Sequence, residues 1–305
     1  PDSAGHMQGG PMYVIVEGLG KGWKPLASFF CIAGVIGCLP FLQVNQLVQV
    51  IRDVIFIPAG VADPTDHFWF DFFAGIVLVM LVGTVIFGGI SRIADVASRV
   101  VPAMVILYMA CALWIIAVNL GDVPQYLALI VTDAFTGNAV AGGVIGTVIV
   151  TGVRRAAFSN EAGIGTESMA HGAAKTREPV REGLVAMMEP VIDTIIVCTC
   201  TALVILMTGV WQTSGDNGVT LTANAFESAM PGFGSYLLII CVVFFSTSTI
   251  FTYSYYGTKC LGFLIGAERQ GIYNIFYVGC IIVASVASLD AAVALVDGMF
   301  AMMAI

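Results

Sequence analysis

Long apolar runs that contain no charged residue dominate this chain. Seven of them occur, and they cover residues 25–51, 72–90, 100–120, 134–153, 194–215, 228–258 and 270–289. Each run reaches the roughly 18 to 20 residues that an α-helix needs to cross the hydrocarbon core of a bilayer. The pattern therefore predicts an all-α fold, a polytopic membrane helix bundle.

The predicted helices form one transmembrane domain over residues 1–305, and about eight are expected. Their predicted bounds are 25–51, 69–90, 100–120, a broken pair 123–136 and 147–158, 183–211, 233–258, 270–289 and a partial helix 290–305. The charged segment 91–99 is expected to form a separate amphipathic elbow before the third span. The composition excludes a soluble domain, since 58% of residues are hydrophobic, 10% are charged and mean hydropathy is +0.94. The solvent of this chain is therefore lipid.

Basic residues are concentrated on alternate connections between the predicted spans. Eleven of the twelve follow this rule, and Arg52 is the exception. The eleven are Lys21, Lys24, Arg92, Arg99, Arg154, Arg155, Lys175, Arg177, Arg181, Lys259 and Arg269. Cytoplasmic loops carry this excess, so the pattern predicts an inner (plasma) membrane protein whose chain starts on the cytoplasmic side. The net charge of −8 lies largely on the opposite loops, and no nucleic-acid partner is predicted.

An amide stripe follows Pro40 in the first span. Gln43, Gln46 and Gln49 recur every three residues, and Asn45 lies beside them. Such a stripe faces protein or water rather than lipid. It indicates either a polar binding surface or hydrogen bonding between helices.

The fourth span contains five glycines, at positions 137, 142, 143, 146 and 152. That composition is poor for one continuous helix and favours two half-helices with a break at about 137–143. Broken helices occur in membranes where the freed backbone groups line a cavity or bind something. The alternative is that the small residues let two helices approach closely.

Hydroxyl groups are dense in the sixth span. Residues 246–257 contain six serines and threonines and three tyrosines. Hydroxyl and carbonyl oxygens hold a hard cation such as sodium, although serine and threonine also bond back to their own helix. Two acids, Glu189 and Asp193, lie one turn apart in the fifth span, where pairing with nearby arginines or a functional role is expected.

The run 152–166, Gly-Val-Arg-Arg-Ala-Ala-Phe-Ser-Asn-Glu-Ala-Gly-Ile-Gly-Thr, resembles the signature of the sodium:alanine (alanine or glycine:cation) symporter family. The resemblance continues through Ala-His-Gly-Ala-Ala at 170–174, Asp-Thr at 193–194, Cys-Thr-Cys-Thr-Ala at 198–202 and Ser-Tyr-Tyr-Gly at 254–257. It covers essentially the whole chain. Two positions depart from the family pattern: Tyr253 is commonly Trp, and Arg154-Arg155 replaces Arg-Gly.

This resemblance implies membership in the amino acid, polyamine and organocation superfamily and a leucine-transporter-like fold of two inverted five-helix repeats. On that plan the chain is truncated and lacks the first two helices and the C-terminal end. The implied site residues fall into three groups: Gln43, Asn45, Gly142, Gly143, Val144 and Tyr253 for substrate, Ser248 and Thr249 for sodium, and Asn160 and Glu161 in an inner loop or gate. In that loop Glu161 is available to pair with an arginine.

The predicted function is therefore sodium-coupled symport of a small neutral amino acid, alanine or glycine, by alternating access. No cofactor is expected beyond the coupling ion, and no other metal. An enzyme is not expected, because the three histidines lie in connections and form no catalytic group with a nucleophile. The alternatives are proton coupling, for which Asp193 is the candidate, and a channel or receptor on the same fold.

Overall fold

The computed structural model describes residues 9–135, 145–174 and 176–304, and all regular secondary structure in these residues is helical. The α-helices are α1 (Pro11–Leu19), α2 (Lys24–Gly37), α3 (Phe41–Ile51), α4 (Phe68–Ile86), α5 (Gly89–Val118), α6 (Val123–Phe135), α7 (Ile145–Asn160), α8 (Glu167–His171), α9 (Pro179–Ala186), α10 (Thr199–Thr208), α11 (Val210–Thr213), α12 (Gly218–Ala229), α13 (Gly234–Ile265), α14 (Ile272–Val286) and α15 (Leu289–Met303). Segments Arg52–Phe56 and Val191–Cys198 are π-helical.

Six stretches of the described residues are long and apolar enough to cross a membrane. They are Lys21–Phe56, Phe68–Ile86, Ser91–Val118, Pro179–Thr208, Gly234–Ile265 and Ala267–Val286. Six of the seven predicted spans are therefore confirmed as helices of membrane-spanning length and composition. The seventh, 134–153, overlaps residues 136–144, so its predicted break at 137–143 lies outside the described residues.

The structure differs from the sequence analysis at two connections. α5 begins at Gly89, so the charged segment 91–99 continues the third span as one helix and forms no separate elbow. A helix that was not predicted, α12, lies between the fifth and sixth spans and buries Thr220, Ala223 and Phe226. Its apolar positions recur at helical spacing, but the run is too short to register as a span.

The first span is interrupted at residues 38–40. α2 ends at Gly37, and α3 begins after Pro40, whose carbonyl accepts the first α3 bond from Val44 N at 3.0 Å. Proline lacks a backbone N–H, so the helix breaks there. The break sets the direction of α3 and buries the amides of Gln43, Asn45 and Gln46.

The long helix α13 forms the centre of the packing. It contacts α2, α3, α5, α12 and α14, and its buried side includes Ile250, Phe251 and Tyr253. Large apolar side chains such as Val77 and Met80 of α4 instead point out of the protein. An apolar exterior around a buried core is what a bundle surrounded by lipid requires.

Candidate functional site

Gln43 on α3 is a buried amide with an unused acceptor. Its side chain is 9% exposed, and its Oε1 atom is buried with no hydrogen-bond partner. Among the described residues, one other side-chain polar atom shares this condition, the hydroxyl of Thr166. A buried acceptor without a partner costs about 1–3 kcal/mol, so it persists where a ligand or water supplies the missing donor.

The neighbouring amides are already occupied by protein partners. Asn45 Nδ2 donates to the Ala287 carbonyl at 2.6 Å, at the junction of α14 and α15. Gln46 Nε2 donates to Gln49 Oε1 at 2.9 Å, and Gln46 Oε1 accepts from Val219 N at 3.0 Å. The sequence pattern left open whether the amide stripe binds a ligand or joins helices, and the structure contains residues suited to each. Asn45 and Gln46 connect helices, whereas Gln43 keeps a free acceptor.

The hydroxyl row of α13 donates back into its own helix. Ser248 Oγ and Thr249 Oγ1 both donate to the Phe245 carbonyl, at 2.9 and 3.0 Å, and Thr252 Oγ1 donates to Ser248 O at 3.0 Å. This bonding is the helix-internal alternative that the sequence left open. It directs the hydroxyl protons to the carbonyl, so the oxygen lone pairs of Ser248 and Thr249 stay available as acceptors.

Tyr253 lies deep in the core and is 2% exposed. Its ring centroid lies 5.8 Å from that of Tyr256 and 6.4 Å from that of Phe300 on α15. It therefore sits where α13 and α15 come together.

Glu161 lies in the loop after α7 and faces the tyrosines of α13. The hydroxyls of Thr166, Tyr256 and Tyr253 lie near enough to its carboxyl to influence its ionisation. The described ion pairs do not include one between Glu161 and an arginine, and the nearby Arg155 pairs with Asp297 of α15. Burial raises the pKa of Glu161 to about 7, although the surrounding hydroxyls favour its charged form.

Asn160, the last residue of α7, stabilises the start of the same loop. Its Nδ2 donates to Thr194 Oγ1 at 2.9 Å, and its Oδ1 accepts from Ala162 N at 3.0 Å. Asn160 thus ties the end of α7 to the π-helical segment Val191–Cys198 and shapes the turn that follows.

The two acids of the fifth span do not pair with arginines in the described structure. Asp193 accepts a hydrogen bond from Ser159 Oγ, and Glu189 lies 3.7 Å from His171 Nε2. Both acids border a cavity of about 250 Å³ whose wall also includes Phe245.

A charged cluster ties α3 to α4 at the far end of the first span. Arg52 NH1 donates to both carboxylate oxygens of Asp71, at 3.0 and 2.7 Å, and Arg52 Nε donates to Asp53 at 2.9 Å. His67 Nδ1 lies 2.7 Å from Asp71 as well. Asp71 and Asp53 therefore neutralise Arg52, the basic residue that departs from the charge pattern. The sequence identified Arg52 as an exception but did not predict its partner Asp71.

The structure brings part of the predicted site together. α3 packs against α13, so Gln43 and Asn45 lie on the helix next to the one that carries Ser248, Thr249 and Tyr253. The remaining predicted substrate residues, Gly142, Gly143 and Val144, lie outside the described residues.

Comparisons with known proteins identify the chain's relatives. The sequence model of the Sodium:alanine symporter family matches residues 1–305. The chain is 37% identical over 285 residues to the sodium/alanine symporter AgcS of Methanococcus maripaludis. The aligned region covers 91% of this chain and 60% of AgcS.

Two Bacillus subtilis proteins are also similar. The putative sodium/proton-dependent alanine carrier protein YrbD is 35% identical over 276 residues, 85% of this chain and 54% of its own length. The probable sodium/glutamine symporter GlnT is 34% identical over 280 residues, 90% of this chain and 56% of its own length. The chain thus spans between 54% and 60% of the length of these three relatives.

Proposed function

Because this chain belongs to the sodium:alanine symporter family, we propose that it is the core of a symporter that couples sodium to a small neutral amino acid, alanine or glycine, by alternating access. The family and the relatives named above are transporters and not enzymes, and the apolar helices make this a multi-pass membrane protein. In this proposal the coupling ion is sodium, the ion in the family's name, and no cofactor is needed.

The observation that carries the substrate proposal is the free acceptor of Gln43. An amino acid presents an ammonium group with three donors, and a buried amide oxygen is an acceptor of matching polarity. A hydrogen bond to a charged group contributes about 1.5–3 kcal/mol, enough to offset the burial of that oxygen. Gln43 is therefore the residue of α3 that we assign to the substrate, with Asn45 as its neighbour in the same stripe.

Ser248 and Thr249 are assigned to sodium. Both hydroxyls donate to one carbonyl, that of Phe245, so their oxygens are held in fixed positions by the helix. Two fixed neutral oxygens suit a hard cation that must bind and leave in each cycle. Oxygens from elsewhere complete the coordination in this proposal, since sodium binds more ligands than two.

The break at Gly142, Gly143 and Val144 is proposed to bind substrate with backbone groups. Half-helix N-termini carry partial positive charge, which suits the carboxylate of an amino acid. Tyr253 is proposed to wall the same pocket, and its size there sets which side chain fits. One relative is named for glutamine rather than alanine, so this pocket is where the family's substrates would be distinguished.

The same proposal includes the overall plan. We assign the chain to the amino acid, polyamine and organocation superfamily, with a leucine-transporter-like inverted repeat, and place its start on the cytoplasmic side of the inner membrane. The basic residues on alternate connections support the orientation. Arg52, the exception, is neutralised by Asp71 and Asp53 and so does not oppose it.

Proton coupling is the second candidate, and one relative named sodium/proton-dependent favours it. Asp193 is then the acid that carries the proton, next to Ser159 and beside the cavity of about 250 Å³. A channel or receptor on the same fold is the third, although the relatives named above are symporters and carriers.

Uptake of radiolabelled alanine by the complete protein in proteoliposomes separates these candidates. An inward sodium gradient at equal pH on both sides is expected to drive accumulation that unlabelled glycine reduces. Uptake driven by a proton gradient without sodium would indicate proton coupling through Asp193. In that case Asp193→Asn would abolish the proton-driven uptake. Flux that follows only the alanine gradient and does not saturate would indicate a channel.

A further inference from the structure

Phe300, near the end of α15, fills the point where four helices meet. It is 6% exposed. Its ring stacks on Phe158 of α7, with centroids 5.4 Å apart and planes at 28°, and its centroid lies 6.4 Å from that of Tyr253 on α13. On a third side the ring packs against Gly37 at the end of α2, where an added Cβ would lie 3.2 Å from two ring atoms. The ring therefore occupies space that a side chain at position 37 would take.

The rings that flank Tyr253 differ in where they come from. Tyr256 lies on α13 itself, at 5.8 Å between centroids, so it belongs to the same helix as Tyr253. Phe300 approaches from α15 and so can fix Tyr253 relative to the rest of the bundle. Side chains in a close-packed interior have little free space, and the position of one ring therefore limits that of its neighbour.

An ion pair one turn away joins α7 and α15 as well. Arg155 of α7 pairs with Asp297 of α15 through one guanidinium nitrogen and one carboxylate oxygen. Each partner lies three residues before a stacked ring, Phe158 on α7 and Phe300 on α15, and side chains at this spacing are neighbours on a helix. The guanidinium also lies 5.9 Å from the centroid of the Phe158 ring. The two helices are thus joined by two adjacent contacts, an ion pair and an aromatic stack.

These two contacts connect helices that pack on different neighbours. α7 packs against the π-helical segment Val191–Cys198, whereas α15 packs against α2 and α3, the helix that carries Gln43. The side chain of Asp297 is 19% exposed, so the ion pair is partly shielded from water. The pair is therefore placed to hold the stacked rings together.

We propose that Phe300 is a specificity-determining residue: its ring backs Tyr253 and so limits the size of the amino-acid side chain that the substrate pocket accepts. Arg155 and Asp297 are positioning residues, because their ion pair holds Phe158 against Phe300. The inference rests on the proposed function, in which Tyr253 walls the substrate pocket. A ring behind that wall sets the space in front of it, because Tyr253 cannot retreat while Phe300 fills the space behind it.

The size limit is measured by the binding of alanine and of 2-aminobutyrate, whose side chain is longer by one methylene. The complete protein, purified in detergent with sodium, gives the Kd of radiolabelled alanine and the Ki of 2-aminobutyrate against it. One methylene changes the fit to an apolar pocket by about 10- to 200-fold. Phe300→Leu gives Tyr253 room to move back, so the ratio of Ki to Kd is expected to fall about tenfold.

Phe263→Leu is the matched control. Phe263 lies on α13, ten residues after Tyr253, and its ring meets that of Tyr13 edge to face at 5.5 Å. The control loses an aromatic contact, as Phe300→Leu does, but away from Tyr253, so its ratio of Ki to Kd is expected to equal that of the wild type. A wild-type ratio in Phe300→Leu, or the same fall in both variants, would overturn the proposal.

Two variants of Arg155 test the positioning pair. Arg155→Gln removes the charge, and the ratio of Ki to Kd is expected to fall by about two- to fivefold, the range for a partly exposed ion pair. Arg155→Lys keeps a cation, and because the pair uses one nitrogen, its ratio is expected to stay near that of the wild type. Equal ratios in the two variants would contradict the positioning role.

The Arg155 variants also decide the matter if Phe300→Leu does not fold, because they act on the same ring through Phe158. Failure of the proposed function gives a different result from failure of this inference. A wild type that does not bind alanine in the presence of sodium contradicts the proposed function, and the inference with it. A wild type that binds alanine, with unchanged ratios in all variants, contradicts the inference alone.

Discussion

Gln43 and Gln46 lie three residues apart on α3, and their replacement by leucine is expected to change stability in opposite directions. Gln43→Leu removes a buried acceptor that has no partner, so the free energy of unfolding is expected to rise by about 1 kcal/mol or more. Gln46→Leu removes the acceptor of Val219 N at the start of α12 and the donor to Gln49. Leaving those partners unpaired is expected to cost about 1–3 kcal/mol.

Thermal unfolding of the purified protein in detergent, without amino acid or sodium, measures both changes. Gln43→Leu is expected to raise the Tm and Gln46→Leu to lower it. The affinity for alanine supplies the functional half of the argument: losing a hydrogen bond to a charged group weakens binding by about 10- to 100-fold. The reasoning is refuted if Gln43→Leu lowers the Tm, or if it binds alanine as tightly as the wild type.

Two further substitutions, the first with a matched control, test the packing and the charged cluster. Gly257→Ala would place a Cβ against the buried ring of Tyr273 and is expected to destabilise the protein by about 1–3 kcal/mol. The control Gly279→Ala meets open space within α14 and is expected to keep the Tm or raise it slightly, because alanine is the better helix former. Equal Tm values in the two variants would contradict this. Asp71→Asn leaves the partly buried guanidinium of Arg52 with Asp53 as its remaining carboxylate and is expected to cost about 2–4 kcal/mol. An unchanged Tm at neutral pH would show that the cluster is dispensable.

Hydropathy predicted most of the fold because lipid-facing helices must be apolar along their length. The six confirmed spans follow from this requirement alone. The same rule misplaces the end of the sixth span, because it ends a span at the first charged residue. α13 continues past Lys259 to Ile265, since a long lysine side chain can bury its methylenes while its ammonium reaches the Tyr255 ring.

Contacts between distant segments could not be predicted from local pattern. The sequence placed Glu161 in an inner loop with arginines as its available partners, whereas the fold brings it near Tyr253 and Tyr256, more than ninety residues away. The amide stripe likewise marked polar residues without distinguishing them. Only the tertiary structure shows that Asn45 bonds to Ala287 and that Gln43 does not have a partner for its oxygen.

The sodium dependence of alanine uptake in Thr249→Ala tests the central claim most directly, with Thr252→Ala as the matched control. Both threonines donate to carbonyls of α13, at 3.0 Å in each case, so both substitutions remove one helix-internal hydrogen bond. Losing one ion ligand is expected to raise the sodium concentration for half-maximal uptake about tenfold in Thr249→Ala, for a cost of about 1.4 kcal/mol. Thr252→Ala should match the wild type. If both variants keep the wild-type sodium dependence, the hydroxyl row does not bind the coupling ion.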